Sequence, residues 1–315
     1  MEKQLAVIEI GSNNTKVHIY ENKKLVFDST TTIEFKRNYQ LNKQILQQDL
    51  EKLYQVIEET LKKTKNIYIF GCSIFRKISQ EELNEINQYL LEHYELQIQV
   101  VSQSDEAFYT AYGCYADIDY DKEICIFIGG GGSIELLFVK NKEVVEQKYY
   151  DFGVVDVTNQ FPSLKEDYNT CSFDEVSDYV SSLIGDLPYT CDVLILAGGD
   201  HLYWYNNARY ELGENTLYHS EKQKYMISIT QSDNYDHDAL KTSLNRIREN
   251  SDNPLWFDGS RAMKVITNTI SHKIDAKYIV PTKINMEDGL LEKIMEERKR
   301  LVVNFESIGK FSMVK

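Results

Sequence analysis

The sequence predicts an α/β protein of two domains, in which the second half repeats the order of elements of the first half. Apolar, β-branched runs of strand length alternate with segments of helical periodicity along the chain. Two turns of small residues, at 11–14 and 129–133, each join two such strands. A chain of 315 residues is long enough to form two sizeable cores.

The first half carries three strands followed by alternating helices and strands. The predicted strands are 5–10, 15–20, 24–33, 66–70 and 97–101. The predicted helices are 43–63, 79–93 and one that begins near Ser104, which we expect to be its N-cap. This alternation places candidate sites at the carboxyl ends of the strands.

The second half repeats three strands, helix, strand, helix. The predicted strands are 124–128, 134–139, 144–150, 193–197 and 276–280. One predicted helix begins at Gly153, and the other four cover 173–184, 238–248, 261–273 and 285–302. We therefore expect domains at 1–121 and 122–315, with packing of the final helix, about 286–315, back on the first domain as one alternative.

The composition excludes several classes of function. A net charge of −14 and a pI near 5.0 argue against broad nucleic-acid binding, which needs a basic face. No apolar run approaches the length of a membrane span, and the N-terminal one is too short for a signal peptide. The five cysteines are unclustered, which favours a reducing cytoplasm.

Four consecutive glycines, 129–132, form the most informative stretch of the chain. They stand between two predicted strands, where successive backbone N–H groups suit a phosphate. The alternative is a tight hairpin whose glycines only provide positive φ angles. Each glycine destabilises an ordered segment by about 1 kcal/mol relative to alanine, because it loses more conformational entropy on folding. Four glycines in a row therefore favour a ligand loop.

Short segments at the predicted turns carry a further pattern. Residues 6–13 end in Glu-Ile-Gly-Ser-Asn, residues 73–76 end in Arg76, and residues 100–107 contain Asp105-Glu106 at a helix start. Residues 130–135 are Gly-Gly-Gly-Ser-Ile-Glu, and shorter pieces lie at 153–155, 197–199 and 288–291. In this order they resemble the motifs of the exopolyphosphatase and guanosine pentaphosphate phosphatase (Ppx/GppA) family, closely over 5–200 and loosely over 258–293.

The resemblance implies the actin-like fold of the ribonuclease H-like, sugar kinase and Hsp70 superfamily, with a duplicated β-β-β-α-β-α core. It implies a cytoplasmic hydrolase that cleaves the terminal phosphoanhydride of inorganic polyphosphate or guanosine pentaphosphate with Mg²⁺ or Mn²⁺. The site is expected in the cleft between the domains. The chain would be a short member with the two core domains only, and a homodimer is one alternative for its oligomeric state.

The same resemblance assigns roles to single residues. Glu106 matches the carboxylate that orients or deprotonates the attacking water, with Asp105 as the second choice, and Arg76 supplies a positive fork. Glu9 and Glu135 match metal ligands. The phosphate-binding residues are Gly11, Ser12, Asn13, Asn14, Gly130, Gly131, Gly132 and Ser133. The alternatives are that Asp105 and Glu106 only stabilise a helix N-terminus and that Glu135 faces solvent.

Several positions depart from the family pattern. The second hairpin should begin with an aspartate, but that position holds Ile128, or Phe127 if one glycine is an insertion. Glu9 replaces an aspartate, and Asp156 and Glu287 stand where relatives often have basic residues. We therefore prefer an enzyme with a reduced or rearranged metal site over a non-catalytic phosphate or nucleotide sensor. A sugar or acid kinase ranks last, because no adenine-binding glycine motif follows residues 198–200.

Overall fold

The computed structural model describes residues 4–11, 14–22, 24–33, 35–116, 118–187, 189–249, 251 and 254–294. The chain forms two compact units, Met1–Glu106 and Ala107–Lys315. The domain boundary expected from the sequence, after residue 121, stays a prediction. Among the described residues, no helix combines the length and the apolar character that a bilayer crossing requires.

The first unit is built on a five-stranded sheet. Its strands are β1 (Gln4–Ile10), β2 (Asn14–Glu21), β3 (Lys24–Thr32), β4 (Ile67–Gly71) and β5 (Ile98–Val100). The sheet order is β3-β2-β1-β4-β5, antiparallel from β3 to β1 and parallel from β1 to β5. The helices are α1 (Phe35–Asn42), α2 (Gln47–Leu61), α3 (Gln80–Tyr94) and α4 (Gln103–Tyr115), and α4 continues into the second unit.

The second unit contains a seven-stranded sheet. Its strands are β6 (Ile124–Gly129), β7 (Ile134–Lys140), β8 (Glu143–Tyr150), β9 (Val193–Leu196), β10 (Gly213–Glu214), β11 (Tyr225–Ser228) and β12 (Tyr278–Pro281). The helices are α5 (Val154–Gln160), α6 (Phe173–Ile184), α7 (Asp200–Ala208), α8 (Ile229–Lys241), α9 (Leu244–Arg248), α10 (Ser260–Lys273) and α11 (286–294). The sheet order is β10-β11-β12-β9-β6-β7-β8.

The two sheets share one strand order. Five strands of the second unit, β8-β7-β6-β9-β12, repeat the order β3-β2-β1-β4-β5 of the first. In both, an antiparallel three-stranded meander precedes two parallel strands reached through helices. The repeat confirms the predicted duplicated, two-domain actin-like α/β fold.

Two predicted helices have different bounds in the structure. The expected helix 43–63 is α2 alone, because Lys43 has a φ of 58° and closes the separate helix α1. The expected helix 238–248 is interrupted between α8 and α9. There the Ser243 side chain accepts from the N–H of Arg246 and donates to Asp167, so a tertiary contact caps α9. Of the expected helix 285–302, residues 286–294 are helical and the rest lie outside the described residues.

Two glycines bring α4 and α11 into contact. A Cβ at Gly289 would collide with the carbonyl oxygen of Tyr109, and a Cβ at Gly113 would lie 3.0 Å from the backbone nitrogen of Gly289. Only glycine therefore fits at this crossing of the two helices. The close approach of the two helices explains why position 289, in the 288–291 segment, is a glycine.

The core of the second unit buries several polar groups, and His201 in the first turn of α7 is one of them. Its ring lies 5.9 Å from that of Phe127, centroid to centroid, and no protein group in the described part of the chain bonds to its Nε2 atom. Burial, and to a lesser degree the charge of Lys264, lowers the pKa of His201 well below its usual value. The folded protein therefore keeps this imidazole neutral.

We expect His201 to make the stability of the protein depend on pH. Below about pH 6.5 the unfolded chain protonates this histidine and the folded chain does not. The unfolded state then binds more protons than the folded state. As the pH decreases below this value, the contribution of His201 to the free energy of unfolding therefore falls by about 1.4 kcal/mol per pH unit, and at higher pH this contribution is constant. Urea unfolding between about pH 7.5 and 5.5 measures this slope. His201→Gln should reduce the slope and the exposed His219→Gln should leave it unchanged; equal slopes in all three proteins would refute the assignment.

Candidate functional site

The turn between β1 and β2 forms one half of the duplicated motif. The strand pairing ends at Ile10 and Thr15, and the N–H of Gly11 donates to the carbonyl oxygen of Asn14 at 2.9 Å. The Asn14 side chain accepts from the hydroxyl of Thr32 at 3.3 Å. The other two predicted phosphate-binding residues of this turn, Ser12 and Asn13, lie outside the described residues.

The glycine turn, residues 129–133, joins β6 to β7 and is closed by the equivalent hydrogen bond. The N–H of Gly130 donates to the carbonyl oxygen of Ser133 at 3.0 Å. None of the four glycines has a positive φ, so the explanation of the run as a set of left-handed turn residues is wrong. Gly129 is needed for a different reason, because a Cβ there would collide with the ring of Phe127.

The glycine turn is held against the start of α5. The N–H groups of Val154 and Val155 donate to the carbonyl oxygens of Gly130 and Gly131 at 3.1 and 2.8 Å. A Cβ at Gly153 would lie 2.5 Å from the oxygen of Gly130, so this contact also requires glycine. Loop carbonyl groups thus satisfy two of the N–H groups that a helix start leaves unpaired.

Three N–H groups of the turn have no such partner among the residues that the structure describes. In the part of the chain that the structure describes, Gly131, Gly132 and Ser133 donate to no backbone or side-chain acceptor through their main-chain nitrogens. Gly131 and Gly132 are exposed, and a Cβ at Gly132 would meet no atom within 4 Å. Three consecutive donors in an open turn are the features of a backbone anion site.

The matching hydrogen bonds also define which residues of the two units are equivalent. Gly11 corresponds to Gly130, so that Glu9 corresponds to Ile128 rather than to Phe127. A half-buried apolar side chain therefore occupies the position where the first unit has its carboxylate.

Arg76 and Glu106 meet in the first unit. Arg76 lies in a 3₁₀ turn after β4, and its Nη1 atom donates to Glu106 Oε2 at 2.8 Å and to the carbonyl oxygen of Val101 at 3.1 Å. Both side chains remain partly exposed. The Val101 carbonyl oxygen thus anchors the guanidinium, which holds the Glu106 carboxylate through one hydrogen bond, and this suits a positioned base.

Asp105 has a different environment from Glu106. Its carboxylate accepts from the Ser102 hydroxyl at 2.6 Å, and its N–H donates back to Ser102 Oγ at 3.1 Å. The predicted N-cap Ser104 was therefore wrong: Ser102 caps α4, because its side-chain oxygen reaches the N–H of the first turn. Asp105 belongs to this cap.

The two predicted metal ligands do not form a metal centre within their units. Glu9 accepts from the ammonium of Lys16 at 3.0 Å, its cross-strand neighbour. Glu135 is buried rather than solvent-facing, and it pairs across the sheet with Ile128. Mg²⁺ takes oxygen ligands in octahedral geometry. Among the described residues no group of three or more His, Cys, Asp or Glu side chains could hold a metal ion, so they provide no complete protein cage for Mg²⁺ or Mn²⁺.

Lys16 is the site residue that the sequence analysis missed. A signal for it was present, because a turn of four residues after β1 places residue 16 opposite Glu9 on the neighbouring strand. Asp156 also has a local role, since its carboxylate accepts from the N–H of Gly153 at 2.9 Å at the start of α5. The aspartate that stands where relatives often have a basic residue therefore caps the N-terminus of α5.

Alanine at position 132 should weaken anion binding without affecting the fold. The added methyl meets no protein atom and no positive φ has to be maintained, so the free energy of unfolding should change by less than about 0.5 kcal/mol. The methyl would restrict approach to the three N–H groups, and the loss of one charge-assisted hydrogen bond weakens binding about tenfold. Calorimetry with tripolyphosphate measures this effect. Gly213→Ala, whose Cβ would make an ordinary 3.4 Å contact, is the control, and equal affinity in both variants would contradict the prediction.

The comparisons with known proteins agree with this architecture. Residues 12–205 match the family model of the Ppx/GppA phosphatase family. The chain belongs to the Ppx/GppA phosphatase family. A comparison with curated protein sequences finds no match.

Solved structures of the same architecture cover nearly the whole chain. The Aquifex aeolicus member of the Ppx/GppA protein family is 17% identical, with a TM-score of 0.72 over 93% of this chain and 98% of that one. An exopolyphosphatase from Cytophaga hutchinsonii is 12% identical, with a TM-score of 0.68 over 93% and 98%. At these identities the similarity shows the fold alone.

Proposed function

We propose that this protein hydrolyses the terminal phosphoanhydride bond of inorganic polyphosphate or guanosine pentaphosphate. The observation that carries the proposal is the glycine turn, where three consecutive N–H groups lack a protein acceptor in the described structure and two of the three residues, Gly131 and Gly132, are exposed. Non-bridging phosphate oxygens are the acceptors that such donors bind. Membership of a phosphatase family supports hydrolysis as the reaction.

Each group has a defined task in this proposal. In the second unit the glycine turn binds phosphate. In the first unit Glu106 accepts a proton from the attacking water, and Arg76 keeps its carboxylate in place. The bond between the water oxygen and the terminal phosphorus forms, and the bond from that phosphorus to the bridging oxygen breaks. Orthophosphate leaves, and the remaining substrate is one phosphate shorter. No step is assigned to a metal ion.

The test is the release of orthophosphate by the purified protein. Long-chain polyphosphate and guanosine pentaphosphate are supplied separately, each with Mg²⁺, with Mn²⁺ and with a chelator. We expect release from at least one substrate. Release from neither substrate under any of the three conditions would overturn the proposal.

A second candidate is a non-catalytic sensor of phosphorylated ligands. It is favoured by Ile128, which stands where the first unit has a carboxylate, and by Lys16, which neutralises the carboxylate of Glu9. Both features reduce the negative charge available to a metal ion. Calorimetric binding of polyphosphate or guanosine pentaphosphate without any release of orthophosphate would support the sensor, and release would exclude it.

A further inference from the structure

A lysine-rich cavity lies in the second unit, apart from the glycine turn. Its volume is about 410 Å³, which is within the range of small-molecule sites. Three lysines, Lys222, Lys224 and Lys283, line it, although the chain as a whole carries a net charge of −14. We call this cavity the lysine pocket. Its other lining residues are Leu202, Glu221, Tyr225, Ile284 and Asp288.

The lysine pocket and the glycine turn lie at the same edge of one sheet. The glycine turn follows β6, Gly198 and Gly199 follow β9, and Lys283 follows β12, and these three strands are parallel neighbours. The N–H groups of Gly198 and Gly199 donate to the carbonyl oxygens of Ile284 and Thr282 at 2.8 and 2.9 Å, which joins the last two loops. With strands about 4.8 Å apart, the backbone at Lys283 and the backbone of the glycine turn are separated by about 10 Å.

The charges in the lysine pocket leave an excess of cations. Lys222 donates to Asp288 at 2.9 Å, and the same carboxylate also accepts from the N–H of Asn285 at the start of α11. Asp288 is therefore occupied by a helix cap and one lysine. In the described part of the chain neither Lys224 nor Lys283 forms an ion pair, and Glu221 is the remaining acid of the lining.

The ammonium groups of Lys224 and Lys283, which form no ion pair with the described residues, lie beside an anion turn and suit a ligand that carries several phosphates. A single orthophosphate cannot span about 10 Å, whereas an extended phosphorylated ligand can contact both places. Lysine binds phosphate as a point charge without a fixed geometry, which suits a flexible chain. We infer that the lysine pocket is a second anion subsite, which binds phosphates of the substrate remote from those at the glycine turn.

This inference rests on the proposed function and makes affinity depend on the extent of the phosphorylated ligand. The two sources of the remote phosphates are a polyphosphate chain and the second phosphorylated position of guanosine pentaphosphate. The probes are pyrophosphate, long-chain polyphosphate and guanosine pentaphosphate, each titrated by calorimetry into the full-length protein. We expect the wild-type protein to bind long-chain polyphosphate, guanosine pentaphosphate or both more tightly than pyrophosphate.

The test variant removes two positive charges by Lys224→Gln and Lys283→Gln together. Its dissociation constant for the extended ligand should rise about tenfold, and that for pyrophosphate should stay within about twofold of wild type. The control is Lys62→Gln with Lys65→Gln, two exposed lysines of the first unit that change the net charge equally. A rise confined to polyphosphate or to guanosine pentaphosphate supports the subsite and identifies the source.

Two outcomes would overturn the subsite. One is unchanged affinity for both extended ligands, and the other is an equal loss for pyrophosphate and for the extended ligands. Because binding is measured without turnover, the proposed function fails separately. A protein that binds extended ligands through these lysines but releases no orthophosphate would retain the subsite and lose the hydrolase assignment.

Discussion

Glu106→Gln should abolish most of the turnover while preserving ligand binding. The amide can still accept a hydrogen bond from Arg76 but cannot take a proton from water, so the geometry of the 2.8 Å contact is maintained without a base. General-base assistance typically contributes about 100- to 10,000-fold, and we expect a decrease in kcat of that size. Orthophosphate release measures kcat, and calorimetry measures the unchanged affinity.

Asp105→Asn is the matched control for this prediction. It makes the same change of carboxylate to amide one residue earlier, but it acts on the helix cap formed with Ser102. We expect activity within a fewfold of wild type and a small loss of stability, about 1 kcal/mol, from the weakened cap. Full activity in Glu106→Gln, or a larger loss of activity in Asp105→Asn than in Glu106→Gln, would contradict the assigned base.

Arg261→Met should be among the most destabilising single substitutions in the second unit. Arg261 is fully buried in α10, and its side chain donates to main-chain oxygens of two separate segments, 164–167 and 239–242. The acceptors are the carbonyl oxygens of Leu164, Glu166, Asp167, Ala239 and Thr242. Methionine has a similar length but no donor, so these buried carbonyls would lose a partner each. A penalty of about 3–5 kcal/mol is typical for breaking such a buried charged network.

Urea unfolding measures this penalty. The exposed Arg246→Met, in the neighbouring helix α9, is the control and should change the free energy of unfolding by no more than about 0.5 kcal/mol. A loss below about 1 kcal/mol in Arg261→Met would show that the surrounding backbone finds other partners.

The duplicated fold could be predicted from sequence because it depends on local patterns. Apolar runs and small-residue turns recur at equivalent places in both halves, and β-pairing then follows the hairpins at 11–14 and 129–133. The segment 201–257 could not be predicted in the same way. The ends of its helices depend on tertiary contacts such as that between Ser243 and Asp167, and no local sequence pattern indicates such contacts.

The candidate site was predictable in its residue types but not in its partners. The position of Glu106 at the start of α4 followed from sequence, whereas its contact with Arg76 joins residues of two distant loops. Likewise the number of glycines indicated a ligand loop, but only the structure distinguishes Gly129, which packing requires, from Gly132, which has open space around it. The lysine pocket is assembled from three separate segments and leaves no sequence motif.

The most direct measurement of the central claim is the response of the backbone amides of the glycine turn to a phosphorylated ligand. Nuclear magnetic resonance of the ¹⁵N-labelled protein, titrated with pyrophosphate, reports each N–H group separately. The account predicts saturable shifts at Gly131, Gly132 and Ser133, with the exposed Gly213 amide as a reference that stays unchanged. Unchanged signals at all three positions while pyrophosphate binds elsewhere would contradict it.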